Sequence, residues 1–138
     1  VSPKQFKDPN FIERVHRALN DTGADPHRLR IEITESTVID NIEQTITRLQ
    51  QLKALGISFS IDDFGTGYSS LAYLKRLPVD VIKIDQSFVR DIGIDTNDAA
   101  IVETIIVMAK HLGLDVVAEG VETEAARDFL LSKGCHNF

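Results

Sequence analysis

Apolar residues recur along the chain with two spacings, and stretches of each alternate. Phe11, Ile12, Val15 and Leu19 share one helical face, and Asp8 followed by Pro9 is a start signal, so a helix is expected from about Asp8 to Gly23. The β-branched run 29–34 predicts a strand. A second helix carries Ile42, Ile46, Leu49, Leu52 and Leu55, with Asp40 as the expected cap, Glu43 three residues later, and Gly56 as the stop. Strand 57–62 follows, then a loop containing Gly65 and Gly67, a short helix over 69–76 closed by Pro78, and strand 81–85. After a longer loop come helix 99–112, strand 116–119, and a last helix that Thr123 caps and Gly134 ends.

Gly56, Gly113 and Gly134 each close a helix just before an extended run, the short αβ connection of a parallel sheet covered by helices. An open doubly wound sheet and a closed barrel both fit that rhythm, and the strand faces separate them. Ile57, Phe59 and Ile61 oppose Ser58, Ser60 and Asp62. Ile31 and Ile33 oppose Arg30, Glu32 and Thr34, while Ile82 and Ile84 oppose Val81, Lys83 and Asp85. An open parallel sheet would want both faces apolar. One polar face therefore favours part of a (β/α)8 barrel of the TIM type.

Composition narrows the function. No apolar run approaches the roughly 20 residues of a membrane-spanning helix, and 43% hydrophobic with 26% charged residues describes a soluble domain. A net charge of -6 argues against binding a nucleic acid polymer, because no surplus of cations can displace phosphate counterions. The single Cys135 makes no internal disulfide and points to a reducing cytoplasm, although other segments could anchor a longer protein to a membrane. His16, His27, His111 and His136 share no ligand spacing. The chain starts without Met, so a fragment is expected.

Four successive strands present Glu32, Asp62, Lys83 and Glu119 at or near their C-terminal ends, where barrel enzymes place their active sites. Carboxylates packed together repel and raise one another's pKa, and divalent metal is the simplest compensation. Oxygen donors without Cys or His select Mg²⁺ or Mn²⁺ over zinc. Asp63 follows Asp62 directly, so both reach one metal site only if the chain bends, and Phe64-Gly65-Thr66-Gly67 is the expected bend.

The segments Glu32-Ile33-Thr34-Glu35-Ser36, Asp62-Asp63-Phe64-Gly65-Thr66-Gly67-Tyr68-Ser69-Ser70-Leu71, Ile82-Lys83-Ile84-Asp85 and Ala118-Glu119-Gly120-Val121-Glu122 together resemble the EAL domain of cyclic di-GMP phosphodiesterases. The resemblance implies hydrolysis of cyclic di-GMP to linear pGpG at a two-metal Mg²⁺ or Mn²⁺ site. It implies Glu32, Asp62, Asp63 and Glu119 as metal ligands, and Lys83, Glu119 and Asp63 as catalytic residues, with Lys83 orienting or polarising the attacking water. It also implies Glu35 as anchor of the loop after Asp63, Glu122 as a partner of the Glu119 turn, and Asp85 as a substrate contact. Residues 1–138 would be an EAL fragment, roughly strands three to six plus the start of the seventh. It would lack the upstream Glu-Ala-Leu strand, the metal-binding Asn and the downstream QGY-like segment, and is expected to be inactive alone. The resemblance further suggests a homodimer through residues 68–77, from Tyr68 to Leu77, and GGDEF or sensory domains elsewhere in the protein. A second reading is a degenerate EAL module that binds cyclic di-GMP, or a protein partner, without hydrolysis.

Overall fold

The computed structural model describes residues 1–67 and 71–138, apart from the Leu71 side chain. Strands β1 (Arg30–Thr34), β2 (Ser58–Phe64), β3 (Val81–Ile84) and β4 (Asp115–Ala118) are all parallel and lie side by side in chain order. A doubly wound sheet reverses its order at a switch point, whereas a barrel adds each strand beside the last. Ile33, Ile61, Ile82 and Val116 form one cross-strand row, and Glu32, Ser60, Val81 and Asp115 form the next, on the opposite face. The architecture is thus a segment of a parallel barrel with its polar face inward, as the alternation predicts. Val117 bridges Asn137 in parallel, and the Ala118 N–H donates to the Asn137 carbonyl at 3.0 Å, so a further strand begins beside β4.

The apolar face is covered by the connecting helices. Leu49 and Leu52 of α4 (Ile42–Lys53), and Val102, Ile105, Ile106 and Ala109 of α7 (Thr96–Leu112), are buried in one core with Ile31, Ile33, Phe59, Ile61, Ile82 and Ile84. Helix α2 (Phe11–Thr22) sets its stripe against this core half-buried, and α8 (Glu124–Ser132) adds Ala126 and Leu130. At the N-terminal ends of the strands Asp80 acts as a stitch. Its carboxylate accepts the Phe59 N–H at 2.9 Å and meets Lys53 Nζ at 2.5 Å, while its carbonyl accepts the Asp115 N–H at 2.9 Å.

Several local expectations shift. Helix α4 is capped by Asn41, whose side-chain oxygen accepts the Gln44 N–H at 3.2 Å; Asp40, the expected cap, instead pairs with Lys7. The Asp8 carboxylate accepts the Asn10 N–H at 2.9 Å, so it shapes the turn ahead of α2 and the helix starts only at Phe11. Helix α7 starts earlier than expected, at Thr96, because Asp95 accepts the Asn97 N–H at 2.7 Å. Three short helices were not expected: α1 (Pro3–Lys7), α3 (Glu35–Asp40) and α6 (Gln86–Arg90). Of the helix expected over 69–76, the described part is α5 (Leu71–Leu74), and residues 68–70 lie outside the described residues.

Leu49 is fully buried between α4 and the sheet. Replacing it by Ala leaves a cavity in a close-packed interior, and Leu49→Ala should lower the unfolding free energy by about 3 kcal/mol. Urea denaturation of the variant against the parent measures this, and a loss below about 1 kcal/mol would show that the site collapses around the missing atoms.

Candidate active site

Lys83 on β3 is the centre of the polar face. Its ammonium lies 2.6 Å from Glu119 Oε1, 2.9 Å from Asp62 Oδ1 and 3.2 Å from the Glu32 carboxylate, with only 15% of the side chain exposed. Burial alone would lower its pKa, but its close contacts with the Glu119, Asp62 and Glu32 carboxylates outweigh that and hold it above the ordinary lysine value. Lys83 is therefore a fixed cation at neutral pH.

The register explains who meets whom. Thr34, not Glu32, is level with Asp62, so Glu32 sits one inward row closer to the strand N-termini and reaches Lys83 from below. Glu119 follows β4 directly and comes from the opposite flank. Asp63 reaches the same place by a backbone irregularity. It is the one described non-glycine residue at positive φ, 53°, and the β2–β3 register slips between Ile61 and Phe64. The bend is thus made by Asp63 itself, inside β2, rather than by the Phe64 to Gly67 loop after it. Aspartate tolerates this left-handed conformation better than most residues. The Asp63 carbonyl also accepts the Thr66 hydroxyl at 2.8 Å, which closes the turn.

As a result Asp62, Asp63 and Glu119 each bring a carboxylate oxygen within 4.8 Å of the other two. Asp62 Oδ1 is buried and accepts no hydrogen bond; its contact with Lys83 Nζ is an ion pair without hydrogen-bond alignment. Burial, and then the charges of Asp62 and Asp85, push the Asp63 carboxyl above the usual aspartate pKa. Carboxylate oxygens this close are a donor set suited to a hard divalent cation. Glu32 stands outside the trio and is held by Lys83.

The remaining expected residues surround this core. Glu35 opens α3, is 2% exposed, and with Oε2 accepts the N–H groups of Gly65 at 3.0 Å and Gly67 at 3.1 Å. The loop passes so close that a Cβ on Gly67 would lie 2.9 Å from the Glu35 carboxyl carbon. Asp85 caps α6, accepting the Ser87 N–H at 2.8 Å, and its carboxyl sits below the usual range chiefly through hydrogen bonding to the Ser87 side chain. The nearby Asp63 carboxyl acts in the same direction. Glu122 is exposed on the segment between β4 and α8. Ser60, one row below Asp62, was missed: its hydroxyl is fully buried without a hydrogen-bond partner. The cavity of about 270 Å³ beside Cys135 lies near the N-terminal end of β4, away from these acids.

A parallel α/β barrel segment with clustered acids and one cation at its strand tips defines the class of protein. Residues 1–138, the whole chain, match the EAL domain family. The chain is 45% identical over 137 residues to the bifunctional diguanylate cyclase/cyclic di-GMP phosphodiesterase MucR of Pseudomonas aeruginosa, an alignment that takes in 99% of this chain and 20% of that protein. It superposes with a TM-score of 0.95 on the PaMucR phosphodiesterase in complex with c-di-GMP, at 46% identity, covering 99% of this chain and 55% of that one. The manganese/cy-diGMP complex of Klebsiella pneumoniae BlrP1 gives a TM-score of 0.84 at 38% identity, over 95% of this chain and 33% of that one. The chain belongs to the EAL domain family. It spans about a fifth of the length of the curated relatives it matches. Among the described residues no helix is long and apolar enough to cross a membrane.

Glu35 holds its loop with a buried carboxylate, so removing it strands two backbone donors. Glu35→Ala should speed amide exchange at Gly65 and Gly67 at least tenfold and cost about 1–3 kcal/mol of stability. Hydrogen exchange read by mass spectrometry is the measurement, and unchanged exchange at both glycines would show that the loop is held elsewhere.

Proposed function

We propose that the protein carrying this chain is a cyclic di-GMP phosphodiesterase that opens one phosphodiester of the cyclic dinucleotide to give linear pGpG. The observation that carries this reading is the convergence of the Asp62, Asp63 and Glu119 carboxylates, beside Lys83, in a chain of the EAL family. Relatives whose structures hold c-di-GMP, and in one case manganese with it, support the substrate and the cation.

Asp62, Asp63 and Glu119 would hold divalent metal, with Glu32 as a further ligand, and Mg²⁺ or Mn²⁺ suits an all-oxygen set. When bound, such ions act as Lewis acids toward a phosphate oxygen and an attacking water. The chain's own residues do the rest. Lys83, a permanent cation, offsets negative charge that develops on the phosphoryl group as the water oxygen bonds to phosphorus and the ribose oxygen leaves. Three carboxylates fix the position of that ammonium, so its charge would act on the phosphoryl group without first reorganising. Glu35 holds the turn that carries Asp63, Asp85 steadies the Asp63 carboxyl, and Glu122 would support the Glu119 turn.

The activity belongs to the complete protein, acting in the cytoplasm, and residues 1–138 alone, as an EAL fragment, would be inactive. Dimerisation through residues 68–77 and attached GGDEF or sensory domains form part of the same proposal. Within that stretch Tyr73 is exposed, whereas Leu74 and Leu77 are buried in the core. Any dimer contact there would therefore use Tyr73 and not those leucines.

Lys83→Ala and Glu119→Ala in the full-length protein should each lower turnover of cyclic di-GMP by about a hundredfold or more while the circular dichroism spectrum is kept. A chelator should abolish pGpG release, and Mg²⁺ or Mn²⁺ should restore it. Turnover that survives chelation or the loss of Lys83 would overturn the mechanism, and tight binding of cyclic di-GMP without any product would support the receptor reading.

A further inference from the structure

The two acid-bearing turns that flank β3, one after β2 and one after β4, are both packed against the same five-residue helix. Helix α6 follows β3 directly, and three of the first four residues after that strand face these turns. Asp85 caps the helix, and its carboxyl lies near enough to that of Asp63 to shift its pKa. Gln86 lies under Gly120, where an added Cβ would stand 2.8 Å from Gln86 Cβ. Phe88 lies under Gly65, where an added Cβ would stand 3.0 Å from Phe88 Cε2. Gly120 follows Glu119, and Gly65 lies two residues beyond Asp63. Both glycines have positive φ, so each turn is tight as well as closely packed.

We infer that α6 is a spacer for the acidic trio: Gln86 and Phe88 act as positioning residues that set the distance between Asp63 and Glu119 by filling the space between their turns. Neither touches the reacting atoms. A carboxylate trio holds one ion only while its oxygens stay within a few ångström of each other, and backbone shifts below one ångström change that separation. The turns are therefore built without side chains where they meet α6, and any Cβ there pushes Glu119 away from Asp63. The inference rests on the proposed phosphodiesterase reading for its consequence on turnover, but its claim about cation binding stands on the packing alone.

The structure also contains its own control. Gly113 has φ of +70°, the same as Gly120, but nothing lies within 4 Å of the position a Cβ would take. Gly113→Ala carries the backbone strain without the collision, at a site remote from the acids.

The experiment uses the full-length protein and two readouts, Mn²⁺ affinity by electron paramagnetic resonance and turnover of cyclic di-GMP. Gly120→Ala should weaken Mn²⁺ binding at least tenfold and lower kcat by a similar factor with little change in KM. Adding Gln86→Gly to Gly120→Ala should recover most of both losses, because the collision partner is gone. Gly113→Ala should leave both unchanged. Phe88→Ala, a variant independent of Gly120, should weaken Mn²⁺ binding severalfold and speed amide exchange at Gly65. Normal Mn²⁺ affinity in Gly120→Ala, no recovery in the double variant, or normal affinity in Phe88→Ala would overturn the spacer role. If Mn²⁺ affinity responds as expected while no variant or parent hydrolyses cyclic di-GMP, the spacer role stands and the phosphodiesterase reading falls.

Discussion

One ammonium shared by three carboxylates organises this molecule. Lys83 meets Glu32 from β1, Asp62 from β2 and Glu119 just after β4, so a single side chain ties every described strand of the sheet at the polar face. Placing these charges on an inward face is costly unless they compensate one another. The compensation is incomplete, because one cation faces four acids once Asp63 is included. A strand order without reversals makes the arrangement achievable, since each tip lies beside the next and no acid has to cross the sheet.

Asp63 shows how the deficit is maintained. A left-handed non-glycine residue costs on the order of 1 kcal/mol, and it persists only where its surroundings over-determine it. Here Thr66 closes the turn with its hydroxyl, Glu35 grips the backbone of Gly65 and Gly67, and Asp85 engages the carboxyl. These supports come from the loop itself and from two short helices, α3 and α6, that follow neighbouring strands. The second aspartate is thereby turned toward the first when an ideal strand would send it to the other face.

What was legible in the sequence follows from length and period. The strands and the long helices α2, α4, α7 and α8 could be read because many residues report the same period, and the Gly-to-strand turns gave the parallel topology. Helices α1, α3 and α6 have five or six residues, too few for a period, and are set by caps and packing. Asp40 and Asn41 are equally good caps by type, but Asp40 is the last residue of α3, so the extended residue that can cap α4 is Asn41. The acids themselves were legible as strand-end residues. Their convergence was legible too, but not how it is made: the bend lies in one backbone angle at Asp63, and the register sets Glu32 one row apart.

The imbalance of charge also orders events at the site. On the proposed reading, a cyclic dinucleotide would bring phosphodiester anions toward a face that is already negative, in a chain whose net charge is -6. Lys83 cannot attract it unaided, since its charge is already paired with Glu119, Asp62 and Glu32. Divalent cations held by the acids would then serve to bind the anion as well as to activate the water that attacks it. Lys83 and such cations are also not interchangeable: the ammonium fixes where the carboxylates stand, while only added charge can reverse the sign of the face they form. On the proposed phosphodiesterase reading, such a site would bind its anion only after its cations, and the packing around Asp63 and Glu119 would keep it ready to do so.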